Sequence, residues 1–114
     1  MKLSTNPVIV SAVRTPMGSF NGLFRSVSAT QLGSRSIAAA LQRINLSPAS
    51  VDVVYMGCVL SAGLGQAPAR QASIGAGIPQ SVGAVTVNKV CGSSLQTVIM
   101  ATHAIALGEA KIVV

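Results

Sequence analysis

Residues 82–108, VGAVTVNKVCGSSLQTVIMATHAIALG, decide the fold class, because a strand pattern passes into a helix pattern with no linker between them. Residues 82–90 are rich in valine and predict a buried strand. Residues 93–107 predict a helix that is apolar nearly all round and therefore buried, with Gly108 as its C-terminal cap. A strand that turns directly into a helix is the repeating unit of α/β folds.

The residues on both sides of this stretch continue the alternation. Residues 8–13 predict a buried strand, residues 51–60 a second one, residues 66–76 a short helix, and residues 111–114 the beginning of a fourth strand. Strands that alternate with helices predict an α/β fold with a mostly parallel sheet and right-handed crossover helices. No linker or repeat divides residues 1–114, and an end within a strand is expected of an incomplete domain.

The clearest helix start is Ser28-Ala29-Thr30-Gln31. Ser28 suits the N-cap and Gln31 the third helical position of a capping box, and residues 32–44 follow with apolar side chains at helical spacing. Ser47 followed by Pro48 predicts a second, single helical turn, because proline is favoured at the first helical position.

Composition excludes some classes of function. Only 9% of the residues are charged, where about 25% is usual. We interpret this as a surface that further protein covers, although a surface of uncharged polar residues is the alternative. The net charge of +6 is dispersed and aromatic residues make up 3%, which argues against a nucleic-acid partner. One histidine, two distant cysteines and two carboxylates predict no metal site.

The sequence pattern near residue 1 is not that of a targeting signal. Lys2 is followed by polar residues rather than by an apolar leader, and two cysteines form no disulfide framework, so a cytoplasmic protein is expected. Residues 90–108 are uncharged and raise the question of a membrane span. Six polar residues within that stretch favour a buried helix and no membrane partner instead: Ser93, Ser94, Gln96, Thr97, Thr102 and His103.

Cys91 is the candidate catalytic residue, because it lies where the predicted strand becomes a helix. Ligands of open parallel sheets bind at the carboxyl ends of strands, and the positive end of a helix favours a thiolate. Gly92 permits a tight turn and close approach of a substrate. Position alone leaves a buried structural cysteine as the alternative. Cys58 lies inside an apolar strand pattern and is interpreted as a small hydrophobic residue.

The sequence offers no general base for Cys91. His103 lies twelve residues further along the same predicted helix, which is roughly 18 Å away. Asp52 begins a strand and is expected at the opposite end of the sheet, and Glu109 follows the far end of the helix. Thiol catalysis with proton transfer needs a base within hydrogen-bond reach.

Three ordered segments carry a resemblance to a known family. They are SAVRTPMGSF at residues 11–20, DVVYMG at 52–57 with GLGQAPARQ at 63–71, and NKVCGS at 88–93. Together they resemble the N-terminal part of the thiolases, over essentially the whole chain and in the same order. The Asn-Lys-Val-Cys form is most similar to the acetoacetyl-CoA, or biosynthetic, branch.

The resemblance implies an acyltransferase that joins two acetyl-CoA molecules in a reversible Claisen condensation or cleaves a 3-ketoacyl-CoA. By its position Cys91 would carry the acyl group. Coenzyme A would be a substrate, and no tightly bound cofactor is implied. The implied fold is the N-terminal half-domain of a five-layer α/β/α/β/α sandwich, in a protein that forms homo-oligomers, either dimers or tetramers.

Several family motifs do not occur in this sequence. The Gly-His-Pro motif, the Asn-Glu-Ala-Phe motif, the second catalytic cysteine and the loop that grips coenzyme A lie further downstream in the family. We therefore expect a fragment that is inactive alone. Ser94 stands where the family usually has glycine, which is expected to tighten the pocket beside Cys91. Two alternatives stay open: a decarboxylating ketoacyl synthase of the same fold, and a non-catalytic thiolase-like assembly protein.

Overall fold

The structure, a computed structural model, describes residues 6–114; residues 1–5, where the sequence predicts no leader, lie outside the described residues. The elements are α1 (Ala29–Arg43), a 3-10 turn (Pro48–Ser50), β1 (Val53–Gly57), α2 (Pro68–Gly75), β2 (Gly83–Val87) and α3 (Ser93–Ala106). β1 and β2 pair in parallel, from Val53 opposite Gly83 to Gly57 opposite Val87, and α2 connects them. The predicted α/β class with a parallel sheet and a crossover helix is confirmed.

Local capping explains where α1 begins. The Gln31 N–H donates to Ser28 Oγ at 3.2 Å, and the Ser28 N–H donates back to Gln31 Oε1 at 2.8 Å. This is the predicted capping box, and such a cap typically stabilises a helix by about 1 kcal/mol. The predicted turn after Ser47 is also present, with the Ala49 N–H donating to Ser47 Oγ at 3.3 Å.

Alternation along β1 places helices on both faces of the sheet. Met56 reaches α1, where a Cβ added at Gly33 would lie 3.0 Å from Met56 Cε, whereas Gly57 faces the start of α3. Val54, on the same face as Met56, is fully buried. The core therefore lies between the sheet and the α1–α2 layer; its buried members are Ile37, Leu41, Val51, Val54, Ala72, Ile78 and Val82.

α3 is covered on one face only. It packs on β1 and β2, but Leu95 is 66% and Val98 47% exposed, because no other element of residues 6–114 lies against its outer face. The prediction of a helix buried all round is therefore not met within the described residues. None of the helices formed by residues 6–114 has the length and apolar character required to cross a bilayer.

The end of α3 follows the predicted glycine cap with a shift of one residue. Leu107 is the C-cap, and Gly108 follows it with φ +77°. The Gly108 N–H donates to the Ile105 carbonyl at 3.1 Å and the Glu109 N–H to the Ala104 carbonyl at 2.9 Å, the two bonds of a Schellman motif.

The predicted strand over residues 8–13 is wrong. This segment forms no ladder with any described strand, and Val8, Ile9 and Val10 are 68–79% exposed. Its hydrogen bonds go to α1 instead: Ser11 Oγ donates to the Ala40 carbonyl at 2.9 Å, and Arg43 Nη1 donates to the Ala12 carbonyl at 3.0 Å. Apolar composition alone cannot make a strand, because a strand needs a neighbouring backbone to pair with.

The segment 112–114 occupies the free edge of β1. The Tyr55 N–H donates to the Val114 carbonyl at 2.7 Å and the Val114 N–H to the Val53 carbonyl at 3.2 Å, and Val53 and Val113 form one parallel bridge. The predicted fourth strand is thus present only as a short pairing beside β1. β1 is consequently flanked on both sides, by β2 and by this segment.

The surface of the chain is large for its mass. It measures 7702 Å², whereas a compact monomer of 11.5 kDa exposes about 5800 Å². Large apolar side chains contribute to the excess, among them Phe20 at 95%, Met17 at 85% and Leu60 at 84% exposure. This agrees with the interpretation of the low charge content as a surface that further protein covers.

Asp52 ties the end of the described chain to the start of β1. Its Oδ2 accepts the Ile112 N–H at 2.9 Å and the Lys111 N–H at 2.7 Å. These two backbone bonds, with a smaller contribution from the Lys111 charge, outweigh desolvation and lower the pKa of Asp52 below its usual value. Because the pKa is lowered in the folded state, the carboxylate stabilises the fold above its unfolded-state pKa. That contribution is lost as the pH falls through the folded-state pKa.

We expect Asp52→Ala to lower the urea midpoint of unfolding at neutral pH, because it removes both bonds to the 111–112 backbone. The gap between variant and parent should begin to narrow below about pH 4, the ordinary pKa of an aspartate in the unfolded chain, and should close as the pH falls through the lower pKa of Asp52 in the folded state. Urea titrations at a series of pH values measure this, with Glu109→Ala as the control for loss of one acidic charge. A gap that stays constant with pH would contradict a role for the ionised Asp52 side chain.

Candidate active site

Cys91 lies in a short connection at the carboxyl end of the parallel sheet. β2 ends at Val87 and α3 begins at Ser93, so residues 88–92 form the whole connection, which we call the cysteine turn. Cys91 is exposed to solvent. The predicted position, at a strand-to-helix turn on the edge where α/β proteins bind ligands, is therefore observed, while its chemical role stays a prediction.

The cysteine turn contains a strained residue. Val90, directly before Cys91, has φ +48°, a left-handed conformation that a β-branched residue rarely adopts. Such a conformation costs about 1–3 kcal/mol and persists only where its surroundings enforce it. Two backbone bonds close the turn around it: the Gly92 N–H donates to the Lys89 carbonyl at 3.0 Å, and the Ser93 N–H donates to the Val90 carbonyl at 3.1 Å.

Two side chains hold the same turn. Asn88 Oδ1 accepts the Val90 N–H at 3.0 Å, and Asn88 Nδ2 donates to the Val59 carbonyl at 3.2 Å. Ser93, which is 3% exposed, accepts the Lys89 N–H at 2.9 Å and donates to the Val90 carbonyl at 2.6 Å. Sequence reasoning did not single out either side chain for this role. The available signal was an asparagine two residues before the strained position, a spacing typical of Asx turns.

Gly57 brings the end of β1 against the first turn of α3. A Cβ added at Gly57 would lie 2.9 Å from both the Ser93 Cβ and the Ser94 backbone nitrogen. Because one of those contacts is backbone, a side chain at position 57 would displace the start of α3 or the end of β1. This glycine therefore sets how closely the helix that follows Cys91 approaches the sheet.

The structure does not bring the other ionisable candidates to Cys91. His103 is exposed near the far end of α3, roughly 18 Å along the helix from Cys91. Asp52 precedes β1 and is engaged at the opposite end of the sheet. Residues 6–114 contain no group of three or more histidine, cysteine, aspartate or glutamate side chains that could hold a metal ion.

Cys58 follows β1 rather than lying within it. It is half-buried, its N–H donates to the Val87 carbonyl at 2.9 Å, and it lines a small cavity together with Met56 and Pro68. The prediction of a strand over residues 51–60 was thus too long at both ends, since β1 covers Val53–Gly57. The half-buried setting agrees with the interpretation of Cys58 as a small hydrophobic residue.

Comparison with known proteins places this arrangement in a family. A family model described as "Thiolase, N-terminal domain" matches residues 7–114. The acetyl-CoA acetyltransferase of Schizosaccharomyces pombe is 54% identical over 112 residues, which cover 98% of this chain and 28% of that protein. Acetyl-CoA acetyltransferase 2 of Arabidopsis thaliana is 56% identical, over 97% of this chain and 28% of its own length. An acetyl-CoA acetyltransferase of Escherichia coli K12 is 53% identical, again over 28% of its length. The chain thus spans just over a quarter of these relatives.

Proposed function

The chain belongs to the thiolase family, and from that premise we propose that it supplies the acyl-accepting cysteine of an acetyl-CoA acetyltransferase. The observation that carries this proposal is the exposed Cys91 at a strained strand-to-helix turn, on the ligand-binding edge of a parallel sheet. The reaction would be the reversible condensation of two acetyl-CoA molecules to acetoacetyl-CoA and coenzyme A.

The proposed chemistry uses Cys91 as a nucleophile and then as a leaving group. Its sulfur attacks the carbonyl carbon of acetyl-CoA, the bond to the coenzyme A sulfur breaks, and coenzyme A takes up the proton lost from Cys91. A second acetyl-CoA then loses a methyl proton to a base, and the carbanion attacks the acetyl group on Cys91. The new carbon–carbon bond forms as the bond to sulfur breaks. A thiolate suits both roles, because it is a good nucleophile and a good leaving group.

Within residues 6–114, neither a histidine nor an aspartate lies beside Cys91 to act as the base for this second step. His103 and Asp52 lie elsewhere, and neither can reach the thiol. We propose that residues 1–114 form an incomplete thiolase N-terminal domain and that the base and the coenzyme A contacts come from protein outside it. The large apolar surface supports this proposal, and it also supports assembly into homo-oligomers.

We expect Cys91 to be alkylated by iodoacetamide faster than Cys58 in the complete protein, because Cys91 is exposed and Cys58 is half-buried. Prior incubation with acetyl-CoA should protect Cys91, since its sulfur would then carry an acetyl group, and should leave the labelling of Cys58 unchanged. Peptide mass spectrometry after timed labelling measures both sites in one sample. Equal labelling of the two cysteines, or labelling of Cys91 that ignores acetyl-CoA, would remove the basis of the proposal. Either outcome would favour the alternative of a non-catalytic, thiolase-like assembly protein.

A further inference from the structure

We propose that Asn88 and Ser93 are positioning residues that hold Val90 in its left-handed conformation and so set the direction of the Cys91 thiol. The proposal rests on the proposed function, since it takes Cys91 as the residue that is acylated. Neither side chain is proposed to touch a substrate. Their effect would pass through the backbone of the residue before Cys91.

The contacts enclose Val90 from both sides. Its N–H donates to Asn88 Oδ1 at 3.0 Å, and its carbonyl accepts from Ser93 Oγ at 2.6 Å. Both polar groups of the strained residue are therefore bonded to side chains, one from the cysteine turn and one from the first residue of α3. Because nothing in valine itself favours a positive φ, the conformation must be enforced by such contacts.

The same two side chains anchor the turn to its surroundings. Asn88 Nδ2 donates to the Val59 carbonyl, which lies just beyond β1, and Ser93 lies against Gly57 at the end of β1. The cysteine turn is thereby fixed to β1 as well as to its own strand and helix. A turn fixed in this way limits the directions in which the Cα–Cβ bond of Cys91 can point, and correct orientation is a large part of reactivity at an active site.

The two residues differ as experimental probes. Ser93 is 3% exposed, so its removal would leave unpaired backbone groups in a buried setting. Asn88 is exposed, and water can replace its bonds without a large effect on folding. Asn88→Ala is therefore the cleaner variant, because it loosens the turn while the core stays intact.

The decisive experiment pairs Asn88→Ala with Val90→Gly in the complete protein. Glycine adopts a positive φ at no steric cost, so a turn with glycine at position 90 no longer needs Asn88 to hold it. We expect Asn88→Ala alone to slow iodoacetamide alkylation of Cys91, and its acetylation by acetyl-CoA, by roughly fivefold to tenfold. The double variant should react at the rate of Val90→Gly alone, within about twofold. If the two substitutions acted independently, the double variant would instead show the product of their separate effects on the rate.

Asn45→Ala is the control for loss of an exposed asparagine elsewhere, because Asn45 lies after α1 and away from Cys91; its own φ of 51° makes alanine unfavourable there. It should lower the unfolding midpoint and leave the alkylation rate of Cys91 unchanged. An unchanged rate in Asn88→Ala, or a loss that Val90→Gly does not rescue, would overturn the positioning role. The alkylation rate needs no acyl-CoA, so failure of acetyl-CoA to acylate the parent Cys91 would count against the proposed function separately.

Discussion

Replacement of Cys91 with serine should lower the thiolytic cleavage of acetoacetyl-CoA by the complete protein at least about 10³-fold. A serine hydroxyl is far less acidic than a thiol and stays protonated at neutral pH, so it is a much weaker nucleophile than a cysteine thiolate. An alkoxide is also a poorer leaving group than a thiolate, so the second half of the reaction would be slowed as well. The side chain differs by one atom, and the exposed site tolerates it without repacking.

The measurement is the loss of acetoacetyl-CoA enolate absorbance after addition of coenzyme A. Cys58→Ser is the matched control, because it makes the same change at the other cysteine, and it should retain activity within about twofold. A Cys91→Ser protein that keeps more than a tenth of the parent rate would place the acyl group on another residue.

The 114-residue chain expressed by itself should give no multiple turnovers of acetoacetyl-CoA, at any concentration at which it stays soluble. Its turn can present a thiol, but among the described residues His103 lies near the far end of α3 and Asp52 is bonded at the opposite end of the sheet, so neither can remove a proton at Cys91. General acid–base catalysis and oxyanion stabilisation each typically contribute 10²-fold or more, so their loss together removes most of the rate.

A single acyl transfer is still expected from that chain. Incubation with acetyl-CoA should add at most one acetyl group per molecule, located at Cys91 by peptide mass spectrometry, and Cys91→Ser should add none there. The enolate assay, with Cys91→Ser as the blank, tests for turnover in the same preparation. Repeated turnover above that blank would show that residues 1–114 contain a base and are catalytically sufficient.

Local signals predicted much of this fold. The capping box at Ser28 and Gln31 and the turn after Ser47 depend on side chains two or three residues apart, so the sequence shows both partners. The alternation of strand and helix patterns likewise predicted parallel pairing of β1 and β2. These features require no knowledge of distant contacts.

The N-terminal segment shows where such signals end. Residues 8–13 have the apolar pattern of a buried strand, but pairing depends on which backbone lies beside them in space. In the structure residues 112–114 pair with β1, and residues 8–13 are held by Ser11 and Arg43 against α1. The spacing of apolar residues in the sequence does not indicate which of the two segments pairs with β1.

The sequence predicted the cysteine of the candidate site but not the contacts that hold the turn around it. Cys91 was identified because a strand pattern, a cysteine and a helix pattern follow one another directly. The left-handed conformation of Val90 could not be identified from the sequence, since valine ordinarily favours extended backbone. The contact between Gly57 and the start of α3 joins residues that are far apart in sequence, so only the folded chain reveals it.

That contact at Gly57 also limits how this protein can change over generations. Most positions beside an exposed turn drift freely, because water accommodates a larger side chain. Position 57 cannot drift alone, since any added carbon meets the backbone of Ser94. A variant there would survive only together with a second change that moves the start of α3. Substitutions at the end of β1 and at the start of α3 are therefore expected to occur together in evolution.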